Sequence, residues 1–142
     1  MDNKFVAKAA IVINASAPKV WDALTKPHLI KQYLFGTDVT TDWKVGGSIT
    51  YKGTWEGKPY EDKGKVVQIE PPRLLVCTYW SAFSGQPDVP DNYATVRYEL
   101  SAEDGGTRLT ITQDNNSSQE SADHSAQNWK MVLEAMKKLL EG

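Results

Sequence analysis

Residues 118–141, "SQESADHSAQNWKMVLEAMKKLLE", most narrow what this chain can fold into. Apolar side chains recur at Ala122, Ala126, Trp129, Val132, Leu133, Met136, Leu139 and Leu140, a helical period kept to the end of the segment. At 1.5 Å per residue such a helix runs about 36 Å. Ser117-Ser118-Gln119-Glu120 fits a capping box, with Ser117 as N-cap and Glu120 at N3. The stripe is lopsided, small in its first half and large in its second.

The sequence before it alternates with period two. "YATVRYEL" sets Val96, Tyr98 and Leu100 against Thr95, Arg97 and Glu99, and "TRLTITQD" sets Leu109 and Ile111 against Arg108, Thr110 and Thr112. "FVAKAAIVI" (5–13), "SITYKGTW", "KGKVVQIE" and "RLLVCTYW" read as further strands. Gly46-Gly47, Gly57-Lys58-Pro59, Pro71-Pro72 and Asp104-Gly105-Gly106 punctuate them as turns. Strands joined this way, with one polar face, form an antiparallel sheet. Between the first strand and the rest, "SAPKVWDALTKPHLIKQYL" predicts two short helices, about 17–24 and 27–34, with Ser16 and Thr25 each two residues ahead of a proline. No repeat or linker interrupts this order, so residues 1–142 are expected to form one domain.

Sixteen basic and eighteen acidic residues are interspersed and leave a formal charge of −2, which argues against nucleic acid or anionic membrane as partner. No apolar run approaches the roughly 20 residues of a membrane span. The N-terminus lacks a secretion signal and Cys77 is the single cysteine, so a cytoplasmic location is expected. His28 and His124 are far apart in sequence, and Asp123-His124-Ser125 splays over a helix rather than forming a relay, so neither a zinc site nor a triad is expected. Glu56, Glu61, Asp62, Glu103 and Asp104 read as solvated residues at or beside turns. Cys77 reads as a buried, inert thiol. No cofactor, metal or catalytic residue is indicated.

"VWDALTKPHLIKQYL", "DWKVGGSITYKG", "KGKVVQIEPPRLLVCTYW" and "NWKMVLEAMKKLLE" together resemble the activator-of-heat-shock-protein-ATPase-like family, part of the START-like (SRPBCC) superfamily of helix-grip folds. The resemblance spans Ala10 to Leu140. It implies an α+β fold: a curved antiparallel sheet of about six or seven strands gripping the C-terminal helix, two short helices after strand 1, and a cavity between sheet and helix. Co-chaperones with this domain also carry a separate N-terminal docking domain with no counterpart in these residues, so stimulation of a chaperone ATPase is not expected from this chain alone.

The aromatic residues are the strongest site signal, with five tryptophans in 142 residues. Tyr51, Trp55, Trp80 and Trp129 are the candidate wall of a cavity, with Gln113 as a polar contact near the end of the last strand. Tyr33, Leu34 and Phe35 are a candidate lip. Gly53 leaves a gap between the rings of Tyr51 and Trp55, and Ala122 and Ala126 leave room beneath the helix. Either sheet aromatics fill that room or a ligand does. Which face of 73–80 looks inward is open, since Leu75, Cys77 and Tyr79 are as apolar as Leu74, Val76 and Trp80. The first functional reading is therefore a non-enzymatic domain binding a small hydrophobic or aromatic molecule. The alternatives are a chaperone-associated, stress-response partner-binding module, and a cyclase- or hydrolase-like enzyme. The ligand and the oligomeric state are left open.

Overall fold

The computed structural model describes residues 5–34, 36–81, 86–116 and 118–141, and the side chain of Trp55 also lies outside what is described. Seven antiparallel strands form one curved sheet: β1 (Ala7–Ile13), β2 (Asp38–Thr40), β3 (Ser48–Trp55), β4 (Lys58–Glu70), β5 (Leu74–Tyr79), β6 (Ala94–Glu103) and β7 (Gly106–Gln113). Their order is β1-β7-β6-β5-β4-β3-β2. The two helices after β1 are α1 (Ala17–Thr25) and α2 (Pro27–Tyr33), and α3 (Gln119–Glu141) closes the chain as one uninterrupted helix. The fold is the α+β helix-grip arrangement that the periodicities and the resemblance predict.

Local chemistry explains most boundaries. Two hairpins turn on two residues each, Glu56-Gly57 and Asp104-Gly105, all four with positive φ (49°, 81°, 50° and 79°). Turns of that hand match the twist of the strands they join, and glycine accepts the second position without a Cβ penalty. The first turn is tighter than the sequence suggests. Lys58 already pairs with Trp55, and Pro59 with Thr54, so β4 begins five residues earlier than the expected 63. Proline is tolerated there because, among the described residues, β5 pairs with β4 as far as the Lys63–Trp80 bridge and asks no ladder hydrogen bond of Pro59.

The helix starts depart from expectation in detail. Thr25 does not cap α2; its hydroxyl donates back to the carbonyl of Trp21 at 2.9 Å, and Lys26 is the N-cap residue. Ser117 lies outside the described residues. At α3 the Ser118 hydroxyl accepts the N–H of Ser121 at 3.0 Å, so the cap is made one residue later than the capping box predicts.

One buried cluster joins the sheet to the helices. Ile13, Val20, Leu109, Ile111, Leu133 and Met136 are at most 1% exposed and belong to it. Of the sheet, α3 runs closest to β1, and it also touches α1 and α2. Its end is pinned there: Lys137 Nζ donates to the Val12 carbonyl at 2.9 Å, and Glu141 accepts the Asn14 N–H at 2.7 Å. Near its start, buried Asn116 donates to the carbonyls of Phe5 (2.7 Å) and Gln113 (3.0 Å) and accepts the Ser125 hydroxyl (2.9 Å). The helix is thus clamped over one side of the sheet, and the other side is left to curve away from it.

Candidate functional site

Period-two alternation decides what faces α3. Ile49 and Tyr51 on β3 look inward, as do Tyr60 and Asp62 on β4, Cys77 and Tyr79 on β5, and Val96 and Tyr98 on β6. Between these side chains and α3 lies a pocket of about 540 Å³, lined also by Leu34, Gln113, Ser125, Asn128, Trp129 and Val132. Rings dominate its walls. Tyr98 meets Trp129 edge-on at 6.0 Å, and Tyr51 meets Tyr79 edge-on at 5.5 Å. Such pairs are held by the ring quadrupoles as well as by buried area.

Polar contacts interrupt the apolar wall. Trp129 Nε1 donates to Gln113 Oε1 at 2.7 Å, fixing the amide at the end of β7. The hydroxyls of Tyr60 and Thr37 lie 2.6 Å apart. Tyr79 donates its hydroxyl to Asp62 Oδ2 at 2.5 Å, and Asp62 is only 7% exposed. Burial, followed by the charge of Asp62 and its hydrogen bond, pushes the Tyr79 phenol well above its ordinary value. Burial likewise raises Tyr51, whose phenol also feels Cys77 and Asp62, and Tyr98, and it pushes the Cys77 thiol up to about 12.

These shifts have a sign that can be tested. Groups whose acid form is favoured by folding bind protons more tightly when native. Their contribution to stability is complete below the ordinary thiol and phenol range and is lost as pH rises through it. The urea midpoint is therefore expected to fall steadily above about pH 9, and native Cys77 to react with iodoacetamide at pH 8 at least 100-fold more slowly than the urea-unfolded chain. A midpoint flat to pH 11, or equal labelling rates, would contradict the burial of this wall.

The structure brings together Tyr51, Gln113 and Trp129 of the residues singled out from sequence. It places others elsewhere. Trp80 sits on the opposite face, stacked on Tyr93 with centroids 6.5 Å apart, because Tyr79 beside it points inward and neighbours in a strand point oppositely. Tyr33 is buried in the core rather than on the pocket wall, while its neighbour Leu34 does line the pocket. Ala122 is buried and neither it nor Ala126 lines the pocket; α3 is turned so that Ser125, Asn128, Trp129 and Val132 do. The gap at Gly53 is occupied by Tyr60, whose ring is so close that a Cβ at Gly53 would fall 2.5 Å from its hydroxyl. Phe35 and the side chain of Trp55 lie outside the described residues.

Asp62 is the site residue that sequence reasoning missed. Its carboxylate is not a solvated turn group but a buried member of the wall. The signal was present: Tyr60, Asp62, Gly64 and Val66 are every second residue, and carrying the strand's alternation back from Val66 puts Asp62 inside. A second concavity of about 530 Å³ lies on the outer face, bordered by Lys63, Lys65, Asp88 and Tyr93. Its charged and hydroxyl-bearing border is what the solvated side of an antiparallel sheet presents, so the aromatic pocket under α3 is the better candidate.

The geometry agrees with what known proteins show. The family model described as Activator of Hsp90 ATPase homolog 1-like protein matches residues 14–141. The solution structure of ChR145 from Cytophaga hutchinsonii is 45% identical, covers 99% of this chain and 97% of its own, and superposes with a TM-score of 0.86. The crystal structure of MLL2253 from Mesorhizobium loti is 25% identical, with 96% of each chain covered and a TM-score of 0.76. The Aha1 dimer from Colwellia psychrerythraea, 21% identical over 96% of each chain with a TM-score of 0.72, shares the fold. No curated protein matches. Among the described residues no helix is long and apolar enough to cross a membrane. With the seven-stranded sheet, the clamped C-terminal helix and a family match over nearly its full length, the chain belongs to the Activator of Hsp90 ATPase homolog 1-like family.

Proposed function

We propose that this protein binds a small, planar, largely apolar molecule in the pocket between α3 and the sheet. The observation that carries the reading is the combination of an aromatic wall (Tyr51, Tyr98 and Trp129) with a few polar groups held in place by their own hydrogen bonds. Small-molecule sites have that composition, and a volume of about 540 Å³ lies within the usual range of roughly 300–1,000 Å³. Affinity would come from burying apolar surface, at about 25 cal/mol per Å², and orientation from the polar groups.

The test is Val132→Phe. Val132 faces the pocket from α3, so a phenyl ring there occupies ligand volume. Binding of planar aromatic fragments, followed by tryptophan emission, is expected to weaken at least tenfold, with folding stability unchanged or raised. If side chains instead fill the space in solution, the same ring overpacks the core and costs about 1–3 kcal/mol. Lost stability together with no saturable response to fragments in the parent protein would end the ligand-binding reading.

A second reading, contact with a chaperone, is favoured by the family's own description as an activator of the Hsp90 ATPase. Stimulation of that ATPase by the purified chain at stoichiometric concentration is its test, and it is independent of the pocket.

A further inference from the structure

We propose that the hydroxyls of Tyr51 and Tyr98 are the recognition groups of the pocket, and that its ligand is a neutral, planar aromatic molecule with a carbonyl oxygen placed to accept from them. This rests on reading the pocket as a ligand site and adds the chemical class of the ligand.

Several donors of the wall are spent inside the chain. Tyr79 donates to Asp62 at 2.5 Å, Ser125 to Asn116 Oδ1 at 2.9 Å and the Trp129 indole to Gln113 Oε1 at 2.7 Å. The hydroxyls of Tyr51 and Tyr98 differ: among the described residues, neither makes a hydrogen bond. No buried side-chain nitrogen or oxygen among those residues lacks a partner, so these two partnerless hydroxyls open onto space that solvent reaches. Both residues line the pocket, which supplies that space. The donors are also held in position. Tyr51 pairs with Val39 on one side and Asp62 on the other, and Tyr98 with Leu75 and Ile111, so each backbone is fixed from two sides. Their rings are braced edge-on, Tyr51 by Tyr79 at 5.5 Å and Tyr98 by Trp129 at 6.0 Å.

Burial keeps both phenols protonated, and the Tyr51 phenol is the next cause of the rise at Tyr98, so the two lie within electrostatic reach of each other. Each keeps its proton at ordinary pH, with no acceptor in the described chain to take it. A donor left unmet away from bulk water is costly, so a ligand oxygen that accepts is favoured there over a hydrocarbon edge. A carbonyl oxygen accepts near the plane of its substituents and has two lone pairs, which suits a flat molecule between aromatic walls. No lysine, arginine or histidine stands among the described lining residues to offset an anion. Neutral donors therefore fit a neutral oxygen better than a carboxylate.

Two probes of one shape are titrated at neutral pH: 2-acetylnaphthalene, and 2-isopropenylnaphthalene, in which a methylene group replaces the carbonyl oxygen. The Trp129 indole N–H, on the pocket wall, reports binding there rather than on the outer face. Its resonance in a proton–nitrogen correlation spectrum is assigned by its disappearance in Trp129→Phe. The ratio of the two dissociation constants is compared between parent and variants, which cancels the difference in how water solvates the probes. Tyr51→Phe and Tyr98→Phe together are expected to move the ratio against the ketone by about tenfold or more, and each alone by about threefold. Should the double variant fail to fold by circular dichroism, the single variants carry the comparison, and the infrared carbonyl stretch of the ketone bound to the parent is expected below its position in hexane. A ratio unchanged by the variants, or a bound stretch at the hexane position, would overturn the carbonyl assignment. The ligand-binding reading survives that result as long as both probes shift the Trp129 resonance saturably. If neither probe moves it, the ligand-binding reading falls, and the carbonyl assignment falls with it.

Discussion

Leu133→Ala is expected to lower the unfolding free energy by about 2–5 kcal/mol, read as a shift in the urea or guanidinium midpoint at constant slope. Leu133 is 0% exposed and lies in the cluster that joins α3 to the sheet and to α1. Removing its branched end leaves a void that clamped neighbours cannot close, because α3 is tied at both ends by side-chain contacts to β1 and to the Asn116 hub. The position on the helix matters more than the residue type. Met131, two residues earlier and 57% exposed, should change stability by less than about 0.5 kcal/mol on the same truncation. Equal effects at the two sites would mean that α3 is rotated from the orientation described.

Gly64→Ala is expected to be about as damaging, by a different route. A Cβ at Gly64 would lie 1.9 Å from the Thr78 carbonyl oxygen and 2.9 Å from its carbon. That obstacle is backbone, so no side-chain rotation relieves it. The two strands are bonded on either side of the contact, by Lys63 and Trp80 through both of their backbone groups (3.1 and 2.8 Å) and by the Lys65 N–H to the Thr78 hydroxyl (2.9 Å). Relief requires β4 and β5 to part there, at a cost of about 3 kcal/mol or more. Because Asp62 and Tyr79 flank the contact, their hydrogen bond should loosen too, and probe binding should weaken alongside stability. Gly53→Ala is the comparison: its obstacle is the Tyr60 ring, which can move, so a smaller loss is expected. A Gly64→Ala protein as stable as the parent would mean that the strands do not approach as closely as described.

The elements were legible because their causes are local. The 3.6-residue stripe of 118–141 and the alternation of 94–100 and 107–112 depend on residues a few positions apart, and six of the strands, two short helices and a long helix follow in order, while the three-residue β2 (Asp38–Thr40) is too short to show a period. The face of β6 that turns inward was legible too, since Arg97 and Glu99 cannot share a core with Tyr98. On β5 no such contrast exists. Leu74 and Val76 are as apolar, and nearly as buried, as Leu75 and Cys77, and only pairing with β6 in the register Leu75–Tyr98 and Cys77–Val96 assigns the second pair to the pocket side. That register turned Tyr79 inward and Trp80 outward.

Two further features needed more than the local rules applied to them. The inward place of Asp62 depends on a two-residue turn at Glu56-Gly57, which extends β4 back past a proline that local rules read as a breaker. The flank of α3 over the pocket depends on how the helix is rotated against β1: its apolar stripe is wide enough to bury Ala122, Leu133 and Met136 while its edge, from Ser125 to Val132, faces the opening. Sequence by itself determined which segments are helix or strand and which side of each is apolar, since both arise from near neighbours. Strand register and helix rotation belong to contacts between residues far apart in the chain, and those contacts decided which side chains stand together around the pocket.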